Sequence, residues 1–126
     1  MKPDYTIPLT PITKKNSQRI LVNTRTGKPF IAPSAQYKQY ERSAMWFLKH
    51  RTQTINYPVN IKVLFYMPTR RRTDLTNLLE AIDDIMVKVG LLEDDSYNIV
   101  ASHDGSRVFY DKENPRTEIY IEEVER

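Results

Sequence analysis

The stretch from Leu75 to Val89 constrains the fold more than any other. Leu75, Leu78, Leu79, Ile82, Ile85, Met86 and Val89 recur at threes and fours, which places them on one apolar stripe of an α-helix. Thr76, Asn77, Glu80, Asp83, Asp84 and Lys88 fall on the opposite side. A helix of this kind must bury its stripe against a second layer of structure. Gly90 suits the left-handed position that stops it. Charge brackets the helix. Arg70, Arg71 and Arg72 precede it, and between Asp74 and Asp95 there are seven acids and one base, Lys88. From Tyr5 to Tyr40 there are six bases and no acid. A basic segment joined to a compact group of carboxylates suits a protein that holds a polyanion and sets metal-binding oxygens against it.

The second layer is a sheet. Val59, Ile61, Val63, Phe65 and Met67 alternate with Asn60, Lys62, Leu64 and Tyr66, which is the period of a strand, and Pro68 ends it. Thr117 to Glu122 alternates in the same way. Tyr5 to Leu9 is short and β-prone, and Pro8 and Pro11 limit it to an edge or a strand end. Arg19 to Val22 and Pro29 to Ala32 form the arms of a hairpin that turns over Asn23 to Gly27. Asn98 to His103 and Arg107 to Tyr110 are expected to pair with each other around Asp104-Gly105, a hairpin turn signal. A second helix is expected from Ala35 to about Arg51, with Ser34 as its N-cap. Its apolar face is Tyr37, Tyr40, Ala44, Phe47 and Leu48, and Trp46 also reads as core. His50, at the end of that helix, reads as a partner of its dipole. The chain is thus expected to be one α+β domain over residues 1–126, with a mixed or mainly antiparallel sheet and two helices packed on one side.

The totals narrow the function. A 126-residue chain that is 40% hydrophobic and 28% charged has the make-up of an ordinary globular domain, not a disordered one. There is no cysteine, which removes disulfides, thiolate zinc sites and cysteine nucleophiles. The two histidines, His50 and His103, lack metal-ligand spacing. No run of about 18 apolar residues and no signal-like start is found, so no membrane association and a cytoplasmic location are expected. The net charge of +3 matters less than its segregation along the chain.

Metal-assisted phosphodiester hydrolysis needs oxygen ligands from carboxylates, because Mg²⁺ is a hard cation that keeps some water and takes phosphate oxygens. It also needs positive charge to hold the nucleic-acid backbone. Asp74 stands at the helix start, Glu80 about two turns on, and Asp94 and Asp95 on the loop that follows. If that loop folds back toward the helix N-terminus, these groups converge. Lys14, Lys15, Asn16, Ser17 and Arg19, with Arg70, Arg71 and Arg72, are suited to phosphate contacts. Plainer readings stand beside these. Asp74 can serve only as an N-cap, Glu80, Asp83 and Asp84 as a solvated face, Glu93 to Ser96 as a turn, and Lys14 to Arg19 as a solvated basic loop.

The segment RRRTDLTNLLEAIDDIMVKVGLLEDDSYNIV resembles the signature of the RusA family of Holliday-junction resolvases, often carried by phages and prophages. The family pattern is a basic run, Asp-Leu-Asp-Asn-Leu opening a helix, a lysine three residues after that asparagine, a helix ending at Gly, and Asp-Asp before a strand. The early basic loop, the long helix, the strand ending in Met-Pro and the final strand also occur in the family's order. The resemblance implies a small homodimeric, Mg²⁺-dependent endonuclease, with Mn²⁺ as a substitute and no small-molecule cofactor. Its substrate would be branched DNA, a four-way junction cut by paired symmetric nicks in recombination and repair. It assigns Asp74 as the first catalytic aspartate, Asn77 as the asparagine, and Asp95, with Asp94 beside it, as the aspartate of the loop. Attack on the phosphodiester in line would leave a 5′-phosphate and a 3′-hydroxyl, and a C2 pair would nick two strands symmetrically.

Two positions depart from the pattern. The family's second aspartate is Thr76 here, and its lysine is Glu80. Residues 76 and 80 are neighbours on one helix face, about 6 Å apart. A carboxylate that has moved one turn along would keep three acids, Asp74, Glu80 and Asp95, with Asp94 a further metal ligand. Lys14, Lys15 or one of the three arginines would then replace the lost cation against the developing phosphorane charge. A DNA-binding module with a decayed active site is the alternative, and a structural protein whose acidic helix docks on a basic partner is a third reading.

Overall fold

The structure, a computed structural model, describes residues 1–14, 18–49 and 53–125, with the backbone alone at 18, 19 and 33. Lys15, Asn16, Ser17 and His50 therefore lie outside the described residues. The elements in chain order are β1 (Tyr5–Ile7), β2 (Gln18–Val22), β3 (Pro29–Pro33), α1 (Ala35–Phe47), β4 (Val59–Met67), α2 (Leu75–Lys88), β5 (Val100–Ser102), β6 (Arg107–Tyr110) and β7 (Arg116–Glu123). The expected α+β class holds.

Strand β4 is the hub, because its alternation leaves Val59, Ile61, Val63 and Phe65 fully buried on one face. It pairs antiparallel with β7, from Val59 opposite Glu123 to Tyr66 opposite Arg116. Strand β1 pairs antiparallel with β7 and forms one edge of the sheet. The hairpin of β2 and β3 forms as its turn residues predict but stands as a separate two-stranded sheet. Its Ile20, Val22, Phe30 and Ile31 are exposed.

The expected hairpin between residues 98 and 110 does not form. Strands β5 and β6 both run parallel to β4, one after the other along the same edge. Val59 faces Val100 on β5, and Leu64 to Met67 face Arg107 to Tyr110 on β6. The Asp104-Gly105 turn makes a break in one edge strand, not a reversal. Across the break, side chains satisfy the backbone of β4 in place of a ladder. His103 Nδ1–H donates to the Ile61 carbonyl at 2.8 Å, and Ser106 Oγ accepts from the Val63 N–H at 2.9 Å. Gly105 is required at the turn: its φ is +88°, and a Cβ there would lie 2.9 Å from the Lys62 Cδ.

Both helices join one core with the inward residues of β4, so both lie on that face of the sheet. Helix α1 begins as expected, with the Tyr37 N–H donating to Ser34 Oγ at 3.1 Å. It ends at Phe47, several residues short of the expected Arg51. Tyr37, Tyr40, Ala44 and Leu48 are buried, but Trp46 is 66% exposed, which corrects its placement in the core. Its ring instead carries the Lys49 ammonium, 4.0 Å from the centroid. Helix α2 buries Leu78, Ala81, Ile82, Ile85 and Met86, and Gly90 follows it at φ +85°. Cutting Ile85 back to Ala would cost about 2–5 kcal/mol, because its side chain is wholly enclosed. Among the described residues, no helix is long and apolar enough to cross a membrane.

Candidate active site

Helix α2 begins at Leu75, a short connection after β4 ends at Met67. Asp74 occupies the N-cap position there, with φ −86° and ψ 121°. Its residue type is a preferred cap, yet its side chain makes no cap hydrogen bond. The carboxylate is exposed. It accepts a long 3.4 Å bond from Asn77 Nδ2 and stands 3.9 Å from the Arg72 Nε, which is 93% exposed. At that distance and exposure the ion pair adds little stability. The helix has therefore left a carboxylate free of the structural duty its position offers.

The arginine run is spread around this end. Arg70 lies over the Tyr110 ring at 4.2 Å. It lines a groove of about 300 Å³ with Arg71, Met67, Thr69, Thr73, Val108, Phe109 and Tyr110. Arg71 also lines a second groove of about 290 Å³, beside Thr13, Gln36 and Leu78. These grooves put cationic side chains next to the N-terminus of α2, where the helix dipole also favours anions. Lys14 reaches α2 and forms an ion pair with Asp84, each about two-thirds or more buried. That brings a cation to the turn after Glu80, on the helix face where the expected lysine is absent. Arg19 lies on β2.

Glu80 is exposed, and its charge, with those of Glu41 and Asp84, helps raise the Tyr37 hydroxyl pKa, whose main cause is burial. Farther along α2, Lys88 bridges to Glu41 of α1 at 3.0 Å. Asp94 and Asp95 are exposed on the loop between α2 and β5. Among the described residues no three of His, Asp and Glu come together closely enough to hold one metal ion. Asp74, Glu80 and Asp95 are therefore not gathered into a closed cage. The donors are nonetheless all carboxylate or amide oxygens, the ligands a hard cation takes. Mg²⁺ is commonly held by one or two carboxylates, with water and substrate phosphate completing its shell. An uncapped Asp74 fits that kind of open site.

A pair the sequence did not mark lies farther along α2. His103 Nε2 meets Asp83 Oδ2 at 2.8 Å, while Nδ1–H is held by the Ile61 carbonyl. Asp83 is only 13% exposed and His103 21%, so Asp83 is not on a solvated face. Burial raises the Asp83 pKa, and His103 only partly offsets it; the charges of Asp95 and Asp84 push the same way as burial. For His103, burial lowers the pKa, but the Asp83 carboxylate outweighs it and the net shift is upward. The two groups hold a proton between them more firmly than either does in water.

Two comparisons bear on this arrangement. The family model for endodeoxyribonuclease RusA matches residues 8–122. The chain belongs to the RusA family. The match takes in the basic loop, both helices and every strand from β2 to β6, together with most of β7. The chain is also 27% identical over 88 residues to the "Crossover junction endodeoxyribonuclease RusA" of Aquifex aeolicus (strain VF5). That alignment covers 68% of this chain and 66% of the relative, just under two thirds of the relative's length.

Proposed function

We propose that this RusA-family chain is a structure-specific endodeoxyribonuclease that resolves four-way DNA junctions. The observation that carries the reading is Asp74: a carboxylate at a helix start, doing no capping, beside three arginines, in a chain matched by the family from 8 to 122. The name of the Aquifex relative supports the same substrate class.

Asp74 and Asp95 would hold a divalent cation, with Glu80 and Asp94 as further acids of the same stretch. Mg²⁺, or Mn²⁺ in its place, would supply charge against the phosphate oxygens and lower the pKa of an attacking water. The protein's own part is positioning. Arg70, Arg71 and Arg72, together with Lys15 and Arg19 of the basic segment, bind backbone phosphates and set the strand in register. Asn77, hydrogen-bonded to Asp74, orients that carboxylate. Lys14, held by Asp84 one turn beyond Glu80, stands in for the lysine missing from position 80 and stabilises charge developing on the phosphorane. In-line attack leaves a 5′-phosphate and a 3′-hydroxyl. A C2 dimer presents two such sites symmetrically, so that nicks fall in pairs.

The test is cleavage of a labelled, immobile four-way junction and a linear duplex of the same sequence, with Mg²⁺ or with EDTA. Paired symmetric nicks in the junction alone, only with Mg²⁺, are the expected result. Salt-sensitive junction binding with no nicking in Mg²⁺ or Mn²⁺ would instead establish a DNA-binding module whose site decayed at Thr76 and Glu80.

A further inference from the structure

The sheet edge formed by β6 carries apolar surface that the core does not use. Among the described strands β6 pairs with β4 alone. All four of its residues are exposed, with Phe109 at 39% and Tyr110 at 43%. An apolar edge strand is a place where another molecule can settle. Neither ring is loose. Phe109 stacks on Tyr66 with 5.2 Å between centroids, and the Arg116 guanidinium lies over Tyr66 at 3.7 Å. Arg116 also donates to Asp111 at 2.9 Å, which fixes the chain just after Tyr110. On Tyr110 lies the Arg70 guanidinium, 4.2 Å from the ring centroid. These two rings, with Arg70 and Arg71, line the groove of about 300 Å³, and none of the described residues lining it is acidic. Thr73, on its wall, immediately precedes Asp74. An electropositive groove with fixed aromatic rings suits a nucleotide, whose base stacks on the rings and whose phosphate meets a guanidinium. A second copy of this chain docking through the same patch would bring two more arginines and no acid to meet them.

We propose that this groove takes one unstacked base of the branched DNA, with Tyr110 and Phe109 as the stacking platform and Arg71 on the adjoining phosphate. This rests on the junction-resolving reading. Stacking is interrupted at a branch point, so a base there leaves its neighbours at less cost than one inside a duplex. The groove therefore favours branched over linear DNA, beside the carboxylate that the reading places at the centre of the chemistry. Tyr110 and Phe109 are specificity-determining residues for the substrate's shape.

The experiment is a metal-free binding titration of the full chain with three DNAs: an immobile four-way junction, the same junction made abasic at the nucleotides flanking the branch point, and a linear duplex. Wild type, Tyr110→Phe and Tyr110→Leu are compared. Leucine keeps apolar volume against the sheet, so the fold is retained, and melting temperature and sedimentation velocity check fold and oligomeric state. Tyr110→Leu should bind the intact junction about tenfold more weakly than wild type, with duplex affinity changed by no more than about twofold. Tyr110→Phe, which keeps a ring, should match wild type on every DNA. Wild type should lose about tenfold on the abasic junction, and Tyr110→Leu should lose almost nothing further, because ring and base form one contact. Wild-type junction affinity in Tyr110→Leu, or an equal loss in Tyr110→Phe, overturns the proposal. So does an equal loss on junction and duplex. A changed oligomeric state in Tyr110→Leu would make this edge a contact between copies and also overturn it. Any of these results, with wild type still nicking the junction in Mg²⁺, leaves the endonuclease reading intact. A wild type that neither prefers the junction to the duplex nor nicks it overturns both.

Discussion

Two carboxylates on one helix, Asp74 and Asp83, have opposite surroundings. Asp74 is exposed, does not cap its helix, and touches only a long amide bond and a distant arginine. Asp83 is nearly enclosed, locked at one oxygen by His103, with a pKa raised chiefly by burial. An exposed, weakly bonded acid costs the fold little and can be given over to substrate. A buried acid is part of the structure whatever else it does. The same residue type on one helix therefore separates chemistry from stability, and substitutions at the two sites should fail in different ways.

The largest expected effect is on cleavage at the open site. Asp95→Asn should lower single-turnover junction cleavage by about 10²-fold or more, while its melting temperature stays close to wild type. An equal loss of stability would break the contrast. Next comes the stability of the buried site. His103→Ala should lower unfolding free energy by roughly 1–3 kcal/mol in urea titration, because it removes the hydrogen bonds of His103 to Asp83 and to the Ile61 carbonyl and leaves the largely buried Asp83 carboxylate without its partner. Asp74→Asn should change it by no more than about 0.5 kcal/mol.

The dependence on pH sharpens this further. Asp83 and His103 both have folded-state pKa values above their ordinary ones of 3.8 and 6.5. The folded state thus keeps protons that the unfolded chain releases, and stability falls as pH rises through each window. The contribution from His103 is complete below pH 6.5 and is lost as pH climbs through its raised value. In His103→Gln the fall above pH 6.5 should flatten, as read by melting temperature; an unchanged profile would contradict the pairing. The smallest effect is at the arginines. Arg71→Ala should weaken junction binding and reduce the slope of log affinity against log salt by about 1, with stability unchanged.

Much of the fold was legible because it is local. The stripe of α2, the alternation of β4, the Ser34 cap and the β2–β3 turn each follow from a few neighbouring residues. What failed was tertiary. Asp104-Gly105 has hairpin chemistry, but β4 offers a parallel edge to both flanking strands, and that pairing is invisible to a turn signal. Trp46 falls near an apolar face by spacing, yet α1 packs through Tyr37, Tyr40 and Ala44 and leaves it outside. Of the candidate site, Asp74, Asn77 and Asp95 stand out by motif. The Asp83–His103 pair does not, since the partners of His103 lie 20 and 42 residues away in sequence. Only the parallel β4 edge brings them together.

The most direct measurement is single-turnover nicking of a four-way junction by wild type and Asp74→Asn in Mg²⁺, with junction affinity measured in parallel without metal. The account predicts paired nicks for the wild type, and for Asp74→Asn a loss of cleavage with affinity and melting temperature retained. Cleavage surviving in a folded Asp74→Asn would show that the uncapped carboxylate is not the catalytic one and would contradict the account at its centre.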